Sequence, residues 1–363
     1  MNSIVTICLA LSAFCYLEIV SGRPSVNNDT LLLVHTLFRH GNRTPDSNGY
    51  DNNPINESYY AEGYSQLTNE GKRTEYKLGT TLRQRYSSFL GNTWKANYLA
   101  ARSTNVTRTK MSLQLVLAAL YPPRGNQIWN RHLNWQPIPY DLVKNDAELS
   151  GSRVCSNYST EVKKVLYSDE IQEALSVYDD IFKYLSNQTG QNISTPNDIF
   201  DLYFNLITQE EYGYPLEEWW EPVWPEALAR IVIENYYIKA NTTYLKQITA
   251  GLLLKKMITD SKAKIDGTIS PTEIKMYLYS AHEMNIASFL IALGVFDDSI
   301  PNYGSHILLE LHLIDGVYGF KVFYENWTAS SPRLLTIPGC NAFCPYDDFV
   351  SLLEEIIPNE GIC

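Results

Sequence analysis

The chain has 363 residues, of which 45% are hydrophobic and 19% are charged. It is therefore long enough to bury a large core in one or two domains, and its composition excludes a disordered or fibrous protein. The formal net charge is −11, and lysine and arginine are spread along the sequence. Because nucleic-acid-binding proteins concentrate basic residues into stripes, this distribution argues against nucleic acid as the main partner.

An apolar run occupies residues 4–20 and is followed by the small residues Ser21 and Gly22. The run is short for a membrane-spanning helix and is interrupted by Glu18, so we favour a secretory signal peptide over residues 1–22 rather than a membrane anchor. No later segment is long and apolar enough to span a bilayer. The sequence therefore predicts no membrane contact after the signal is removed.

Cysteine usage agrees with export. Cys8 and Cys15 lie in the predicted signal peptide, and an even set remains downstream. The remaining cysteines are Cys155, Cys340, Cys344 and Cys363. We expect two disulfides from these four cysteines, and spacing alone leaves their pairing open.

Asn-x-Ser/Thr sequons are frequent, as expected for a glycosylated export product. We predict glycans on the sequons that begin at Asn28, Asn56, Asn157, Asn187, Asn192, Asn241 and Asn326. Asn42 and Asn105 also begin sequons, but both fall within the candidate site described below, where a glycan would block access.

The first elements predict a buried sheet with helices. The near-continuous apolar stretch Leu31–Phe38 is typical of a strand buried on both faces, so the segment that follows leaves the C-terminal end of a core strand. Open α/β sheets bind ligands at that edge. Apolar residues at helical spacing then predict helices over Thr68–Leu90 and Val106–Leu120, with a short strand at Asn97–Ala101 between them.

Residues 141–264 show several helical patterns and no clear core strand, so we predict a helical cap inserted into the sheet domain. Further strand and helix patterns follow at Ile274–Tyr279, Glu283–Leu293, Ile307–Leu313 and Tyr318–Glu325. The sequence thus predicts an α/β sandwich core formed by residues 23–140 and 265–363.

The segment after the first strand reads Arg39-His40-Gly41-Asn42-Arg43-Thr44-Pro45. Two guanidinium groups beside an imidazole suit a phosphoryl group, because arginine binds phosphate oxygens in bidentate fashion. A basic surface loop would explain the Arg-His-Gly triplet alone. The full pattern at the end of a buried strand favours a phosphate site.

We expect no metal and no cofactor. The six histidines lack metal-ligand spacing, and His282-Glu283 is not followed by the second histidine of a zinc helix. The sequence also lacks a phosphate-binding glycine loop, a dinucleotide fingerprint and a nucleophile-elbow serine.

The basic segment resembles the signature of the histidine acid phosphatases, a branch of the histidine phosphatase superfamily. Gln66–Gly71, Ala101–Thr109 and Ser280–Glu283 resemble further motifs of that family in the same order, most like those of insect venom-type, prostatic and lysosomal members. The resemblance implies a phosphoglycerate-mutase-like α/β sandwich with a helical cap. It also implies a Cys155–Cys363 disulfide, whereas Cys340 and Cys344 are close enough in sequence to form a small structural loop.

Carried over to this sequence, the resemblance implies that His40 attacks phosphorus and forms a phosphohistidine that water then hydrolyses. The residues implied to bind the phosphate are Arg39, Arg43, Arg102 and His282. Arg102 falls between a predicted strand end and a helix N-terminus, which favours an anion. Glu283 is the candidate proton donor, but the wider family carries Asp there and capping of the next helix is a competing role. Asn105 also departs from the family, since vertebrate relatives have an acid there.

These features predict a secreted acid phosphatase, a phosphoric monoester hydrolase acting on small phosphate monoesters. Venom, saliva and the lysosome are the destinations that the resemblance suggests, and a homodimer is a quaternary structure that it allows. A phytase or a lysophospholipid phosphatase on the same fold is the alternative enzyme. A secreted protein that binds a phosphate ligand without turnover is the non-enzymatic alternative.

Overall fold

The computed structural model describes residues 30–329 and 331–363, so the predicted signal peptide and the Asn28 sequon lie outside the described residues. Over these residues the chain forms a mixed seven-stranded sheet in the order β2-β3-β1-β4-β5-β6, with β7 paired to β5. The strands are β1 (Leu31–Arg39), β2 (Leu99–Ser103), β3 (Met276–Ala281), β4 (His306–Ile314), β5 (Val317–Glu325), β6 (Arg333–Leu335) and β7 (Cys344–Pro345).

Helices account for most of the remaining regular structure. Those of the sheet domain and its edges are α1 (Asn69–Arg85), α2 (Ser87–Leu90), α3 (Thr107–Leu120), α11 (Leu252–Ile265), α12 (Glu283–Ala292) and α13 (Tyr346–Leu352). Those of the inserted region are α4 (Ala147–Val154), α5 (Tyr158–Leu166), α6 (Asp169–Leu175), α7 (Asp179–Thr189), α8 (Pro196–Glu211), α9 (Glu226–Lys239) and α10 (Thr243–Lys246), with a π-helical turn over Gln247–Gly251 before α11. The α/β class predicted from the sequence is confirmed.

Strand β1 lies inside the sheet and is buried on both faces, as its apolar run predicts. Alternate side chains of a strand point to opposite faces, so Val34 and Phe38 pack on one side and Leu33 and Leu37 on the other. Helices α1 and α3 cover the first of these faces, and α11 and α12 cover the second. The chain therefore forms a three-layer sandwich around the sheet.

The three parallel strands end at the same edge. Arg39 at the end of β1 pairs with Ala281 at the end of β3, and Ser103 at the end of β2 pairs with Ser280. Since β1 also runs antiparallel to β4, the parallel part of the sheet is confined to β2, β3 and β1. The residues that follow these three strands are consequently neighbours in space.

The inserted region differs from the predicted cap at its C-terminal end. Apart from its last residue, Ile265, helix α11 lies within the predicted boundaries 141–264, yet its Leu253 and Met257 pack in the same core as Leu37 of β1 and Phe289 of α12. The helix belongs to the sandwich because its apolar side covers the sheet face opposite α1 and α3. A separate hydrophobic core forms further from the sheet, where Leu206 of α8 packs with other cap residues and with Tyr50 from the segment after β1.

Two disulfides join the cysteines in the pairing that the resemblance implies. Cys155 is bonded to Cys363 with a Cα–Cα distance of 4.6 Å, and Cys340 to Cys344 with a distance of 5.5 Å. The first bond ties the end of α4 to the C-terminal segment. In the described part of the chain, no helix combines the length and the apolarity that a membrane crossing requires.

The predicted glycosylation sites differ in accessibility. Asn56, Asn157, Asn187, Asn192 and Asn241 are exposed. Asn326 is only 8% exposed; its Oδ1 accepts a hydrogen bond from the backbone of Asn302 at 2.6 Å, and its Nδ2 donates to Ser299 at 3.3 Å. A glycan needs that amide nitrogen, so the structure argues against the prediction at Asn326.

Candidate active site

The loop after β1 is fixed by a close backbone approach to the start of α1. A Cβ atom at Gly41 would overlap the carbonyl oxygen of Gly71, and one at Gly71 would overlap that of Asn42. Thr68 caps α1 by accepting from the Gly71 amide at 3.1 Å, and its own hydroxyl donates to the Asn42 carbonyl at 3.2 Å. The glycines are therefore required here, and they hold the neighbouring His40 in a defined position.

His40 is fully buried, and its ring orientation follows from its hydrogen bonds. Its Nδ1 lies 2.8 Å from the carbonyl oxygen of Gly41. A carbonyl can only accept, so Nδ1 carries the hydrogen and the lone pair of the neutral ring is on Nε2. Arg108 donates to that Nε2 from its Nε at 3.0 Å. The atom with nucleophilic character thus points toward a guanidinium group.

His282 and Glu283 approach His40 from the end of β3. The side-chain ligand atoms of His40, His282 and Glu283 lie within 4.8 Å of one another. Thr104, which follows β2, places its hydroxyl 3.1 Å from His282 Nε2. The backbone N–H of His282 donates to the side chain of Asn285 at 3.2 Å, which stabilises the first turn of α12. Each of the three parallel strands therefore contributes to the cluster.

Arg39 is almost completely buried beside this cluster. Its Nη1 donates to the carbonyl of Pro301 at 2.5 Å, and its guanidinium lies 3.9 Å from the ring centroid of Tyr303. Its Nε is 3.4 Å from a carboxylate oxygen of Glu283. The buried Nη2 has no hydrogen-bond partner among the residues described, so it is a donor that an anion could satisfy.

Arg43 and Arg108 share one carboxylate. Asp46 lies 2.7 Å from Arg43 Nη2 and 3.5 Å from Arg108 Nη1. Burial by itself would raise the pKa of Asp46, but the two guanidinium groups hold that pKa below its usual value. Asp46 thereby orients both arginines and leaves the pair with one net positive charge.

The histidines of the cluster are held in their neutral forms. Burial lowers the pKa of His40 well below 6.5, and the positive charge of Arg108 lowers it further. Burial also lowers the pKa of His282 to about 3, although the negative charge of Glu283 opposes this shift. An imidazole must be neutral to act as a nucleophile, so His40 remains competent in acidic solution.

Glu283 is ionised more readily than an ordinary glutamate. Burial would raise its pKa, but the nearby positive charge, chiefly that of Arg39, holds that pKa below 4.5. The carboxylate is only 14% exposed as a side chain. Its protonation state therefore depends on whether another anion competes for Arg39.

The atoms of His40, His282 and Glu283 are ligand types that a metal ion accepts. Three guanidinium groups lie around them, and one donates directly to His40. A bound cation would face that positive charge at short range. The arrangement instead suits an oxyanion, for which Arg39, Arg43 and Arg108 offer charge-assisted hydrogen bonds.

Arg102, which the sequence places in the phosphate site, is not brought to this cluster. It lies within β2, its guanidinium is hydrogen-bonded to Glu148 and lies 3.3 Å from Asp146, and it packs over the ring of Tyr279. The strand extends through Ser103, beyond its predicted end, so Arg102 remains on the sheet. Acidic residues from the start of α4 then neutralise it.

Arg108 occupies the position that the sequence analysis gave to Arg102. It is the second residue of α3, and helical side chains lean toward the N-terminus, so its guanidinium extends over the ends of the parallel strands. The sequence carried one signal, since both arginines lie in the segment Ala101–Thr109 that resembles the family motif. Only the position at which β2 ends shows which of the two arginines reaches the cluster.

A cavity of about 290 Å³ opens onto the cluster. Arg43, Arg108, His282 and Glu283 line one part of it, and residues of α4, of the cap helices and of α12 line the rest. Asp46 lies at its margin and is 44% exposed as a side chain. A small ligand can therefore reach the cluster from solvent.

Comparison with known proteins finds a matching family and named relatives. The family model described as histidine phosphatase superfamily (branch 2) matches residues 30–325. The chain is 38% identical over 337 residues to venom acid phosphatase Acph-1 of Apis mellifera, covering 91% of this chain and 87% of that protein. It is 31% identical over 346 residues to the prostatic acid phosphatase of Homo sapiens, covering 93% and 88%.

Among solved structures, the chain is similar to the phytase of Hafnia alvei in complex with myo-inositol hexakis sulphate. The TM-score is 0.68 with 16% sequence identity, and the match covers 91% of this chain and 97% of that one. At this identity the likeness concerns the fold alone. It supports the mixed α/β fold described above.

The buried neutral His282 gives the protein a measurable pH dependence. The unfolded chain binds this proton near pH 6.5, whereas the folded chain resists it until about pH 3, so this group lowers the free energy of unfolding as pH falls. Relative to His282→Gln, the free energy of unfolding of the wild type should fall by about 1.4 kcal/mol per pH unit between about pH 6 and about pH 4.5. Urea unfolding measures both proteins, with His132→Gln at an exposed histidine as control. A constant difference across this range would contradict the neutral His282.

Proposed function

We propose that this chain, which belongs to the histidine phosphatase superfamily (branch 2), is a phosphomonoesterase that works at acidic pH through a phosphohistidine on His40. The observation that carries the proposal is the neutral ring of His40, whose Nε2 lone pair faces Arg108 at 3.0 Å. The relatives named as acid phosphatases support the same reaction class, a phosphoric monoester hydrolase.

The substrate phosphate would bind among Arg39, Arg43 and Arg108. Its oxygens would take the hydrogen bonds that the buried Arg39 Nη2 and the Arg43 Nε lack among the described residues. The Arg108 Nε–H, which contacts His40, would turn to a phosphate oxygen and release the Nε2 lone pair. These fixed donors would stabilise the charge that gathers on the phosphoryl oxygens in the transition state.

In the first step, Nε2 of His40 forms a bond to phosphorus while the bond from phosphorus to the alcohol oxygen breaks. The imidazole becomes positively charged, and its Nδ1–H keeps the 2.8 Å hydrogen bond to the Gly41 carbonyl, which stabilises that charge. In the second step, water attacks phosphorus and the P–N bond breaks. Inorganic phosphate leaves, and the neutral His40 is restored.

Glu283 would give its proton to the departing alcohol oxygen in the first step and recover one from the attacking water in the second. A phosphate dianion beside Arg39 offsets the charge that lowers the pKa of Glu283, so substrate binding favours the protonated acid. Glutamate thus serves where the wider family has aspartate. Its position at the start of α12 is compatible with this role.

Secretion is part of the same proposal. The apolar run over residues 4–20 and the exposed sequons support an export product, and the Cys155–Cys363 disulfide suits an oxidising compartment. The relatives named as venom and prostatic acid phosphatases support the same proposal of secretion. Homodimerisation stays a prediction.

Hydrolysis of p-nitrophenyl phosphate at about pH 5 in the presence of a chelator tests the central claim. The wild type should release nitrophenol and phosphate, and acid quench should trap labelled phosphate on His40. His40→Ala should lose activity by at least about 10⁴-fold, because it removes the nucleophile. Activity that survives this substitution, or that disappears with the chelator, would sink the mechanism.

The two arginines of the Ala101–Thr109 segment give a paired test. Arg108→Gln should lower kcat/KM for p-nitrophenyl phosphate by about 10²–10³-fold, because it removes a donor to the transition state. Arg102→Gln should lower it by less than about tenfold, since Arg102 only pairs with Asp146 and Glu148. Steady-state kinetics at one pH suffice. If Arg102→Gln lowered kcat/KM more than Arg108→Gln did, Arg102 rather than Arg108 would belong to the phosphate site.

The role of Glu283 depends on the leaving group. Glu283→Gln should slow hydrolysis of an alkyl ester such as glycerol phosphate by about 10²–10⁴-fold, because an alkoxide needs a proton to leave. Nitrophenolate leaves without one, so p-nitrophenyl phosphate should be affected far less. Glu211→Gln is the matched control, because Glu211 also interacts with the charge of Arg39 and is not in the cluster. Equal losses on both substrates would exclude Glu283 as the acid.

A further inference from the structure

The wall of the cavity beside His282 carries basic side chains other than the arginines proposed to bind the phosphate. Beyond the catalytic cluster its wall includes Arg153 near the end of α4 and Lys239 at the end of α9. Lys239 interacts with the charge of Glu283, where the proposed function places the leaving group, and Arg153 lies in the same cavity wall. The alcohol portion of a bound substrate would therefore lie near these side chains.

Most charges of the cavity have partners. Asp46 is paired with Arg43 and Arg108, and Glu283 lies beside Arg39. Lys239 donates to the side chain of Asn197 at 2.7 Å and interacts with the charge of Asp201, another wall residue. Each of these charges therefore has a partner of opposite charge in the wall or beside it.

Arg153 is the exception. It is exposed, and its guanidinium makes no hydrogen bond or ion pair with any residue in the described ranges. It is nevertheless close enough to His282 for its charge to lower the pKa of that imidazole. The unpaired guanidinium of a solvated arginine that faces a binding cavity can form two parallel hydrogen bonds to a carboxylate or a phosphate.

We propose that Arg153 binds a second anionic group on the leaving group, so that the enzyme prefers phosphate monoesters whose alcohol carries a carboxylate or a phosphate. The inference rests on the proposed function and adds a substrate class to it. The polar neighbours Ser150, Ser152 and Asn285 line the same cavity and can hydrogen-bond such a group. Phe200 and Met284 contribute apolar surface for the carbon frame between the two anions.

The alternative is that Arg153 only stabilises its own helix. It stands in the last turn of α4, where a positive charge interacts favourably with the helix dipole. In that case its removal would change the stability of the protein and leave substrate choice unaffected. The two roles therefore differ in a measurable way.

A matched substrate pair tests the proposal. 3-Phosphoglycerate and glycerol 3-phosphate differ by a carboxylate in place of a hydroxymethyl group, so the ratio of their kcat/KM values reports the second anion. The wild type should favour phosphoglycerate, and Arg153→Gln should lower the ratio by about tenfold. Arg153→Lys should restore part of it, and p-nitrophenyl phosphate should be turned over at an unchanged rate.

Arg131→Gln is the control, because Arg131 is also an exposed arginine and is not part of this cavity wall. It should leave the ratio unchanged. An unchanged ratio in Arg153→Gln, or an equal loss on both substrates, would overturn the proposal. Thermal unfolding of all four proteins reports the helix-dipole alternative separately.

Binding without turnover separates this inference from the proposed function. His40→Ala lacks the nucleophile, so calorimetric titration with each ester measures affinity alone. Phosphoglycerate should bind about tenfold more tightly to His40→Ala than to the His40→Ala/Arg153→Gln protein. Glycerol 3-phosphate should bind to both proteins with the same affinity. This selectivity would support the subsite even if the wild type showed no hydrolysis. Its absence would contradict the subsite even if hydrolysis were fast.

Discussion

The parallel pairing of β2, β3 and β1 is the constraint on which the rest of the site depends. The hydrogen bond from the His40 amide to the Ala281 carbonyl, 3.1 Å long, continues this pairing past the last residue of β1. The Thr104 amide likewise donates to the Ser280 carbonyl at 3.1 Å. Side chains that are distant in sequence thus arise from one rigid edge, as catalytic groups require.

Electrostatics then give each side chain its chemical state. Burial removes water from His40 and His282, and nearby guanidinium groups disfavour a second positive charge, so both rings stay neutral. The same guanidinium groups keep Glu283 ionised until another anion approaches. In this cluster the side-chain atoms of the proposed nucleophile and the proposed acid lie within 4.8 Å of each other.

The insertion has two physical roles. Helix α11 and the start of α4 complete the core of the sandwich, while the cap helices and the end of α4 form the outer wall of the cavity. In the proposed function the sheet edge therefore holds the groups that react with the phosphate, and the insertion lines the cavity beside them. Arg153 belongs to this outer wall, which explains why the phosphate motif gives no indication of it.

The sequence by itself determined the buried strand β1, the helices α1 and α3, and the basic segment with His40, because these depend on apolar periodicity and local motif chemistry. It predicted Arg102 in the phosphate site where the structure has Arg108, since that choice depends on where β2 ends and on the acids that α4 brings to Arg102. The sequence also did not show that α11 packs in the sandwich or that Asn326 is buried. Only the tertiary structure decided these points, because each depends on contacts between segments distant in the chain.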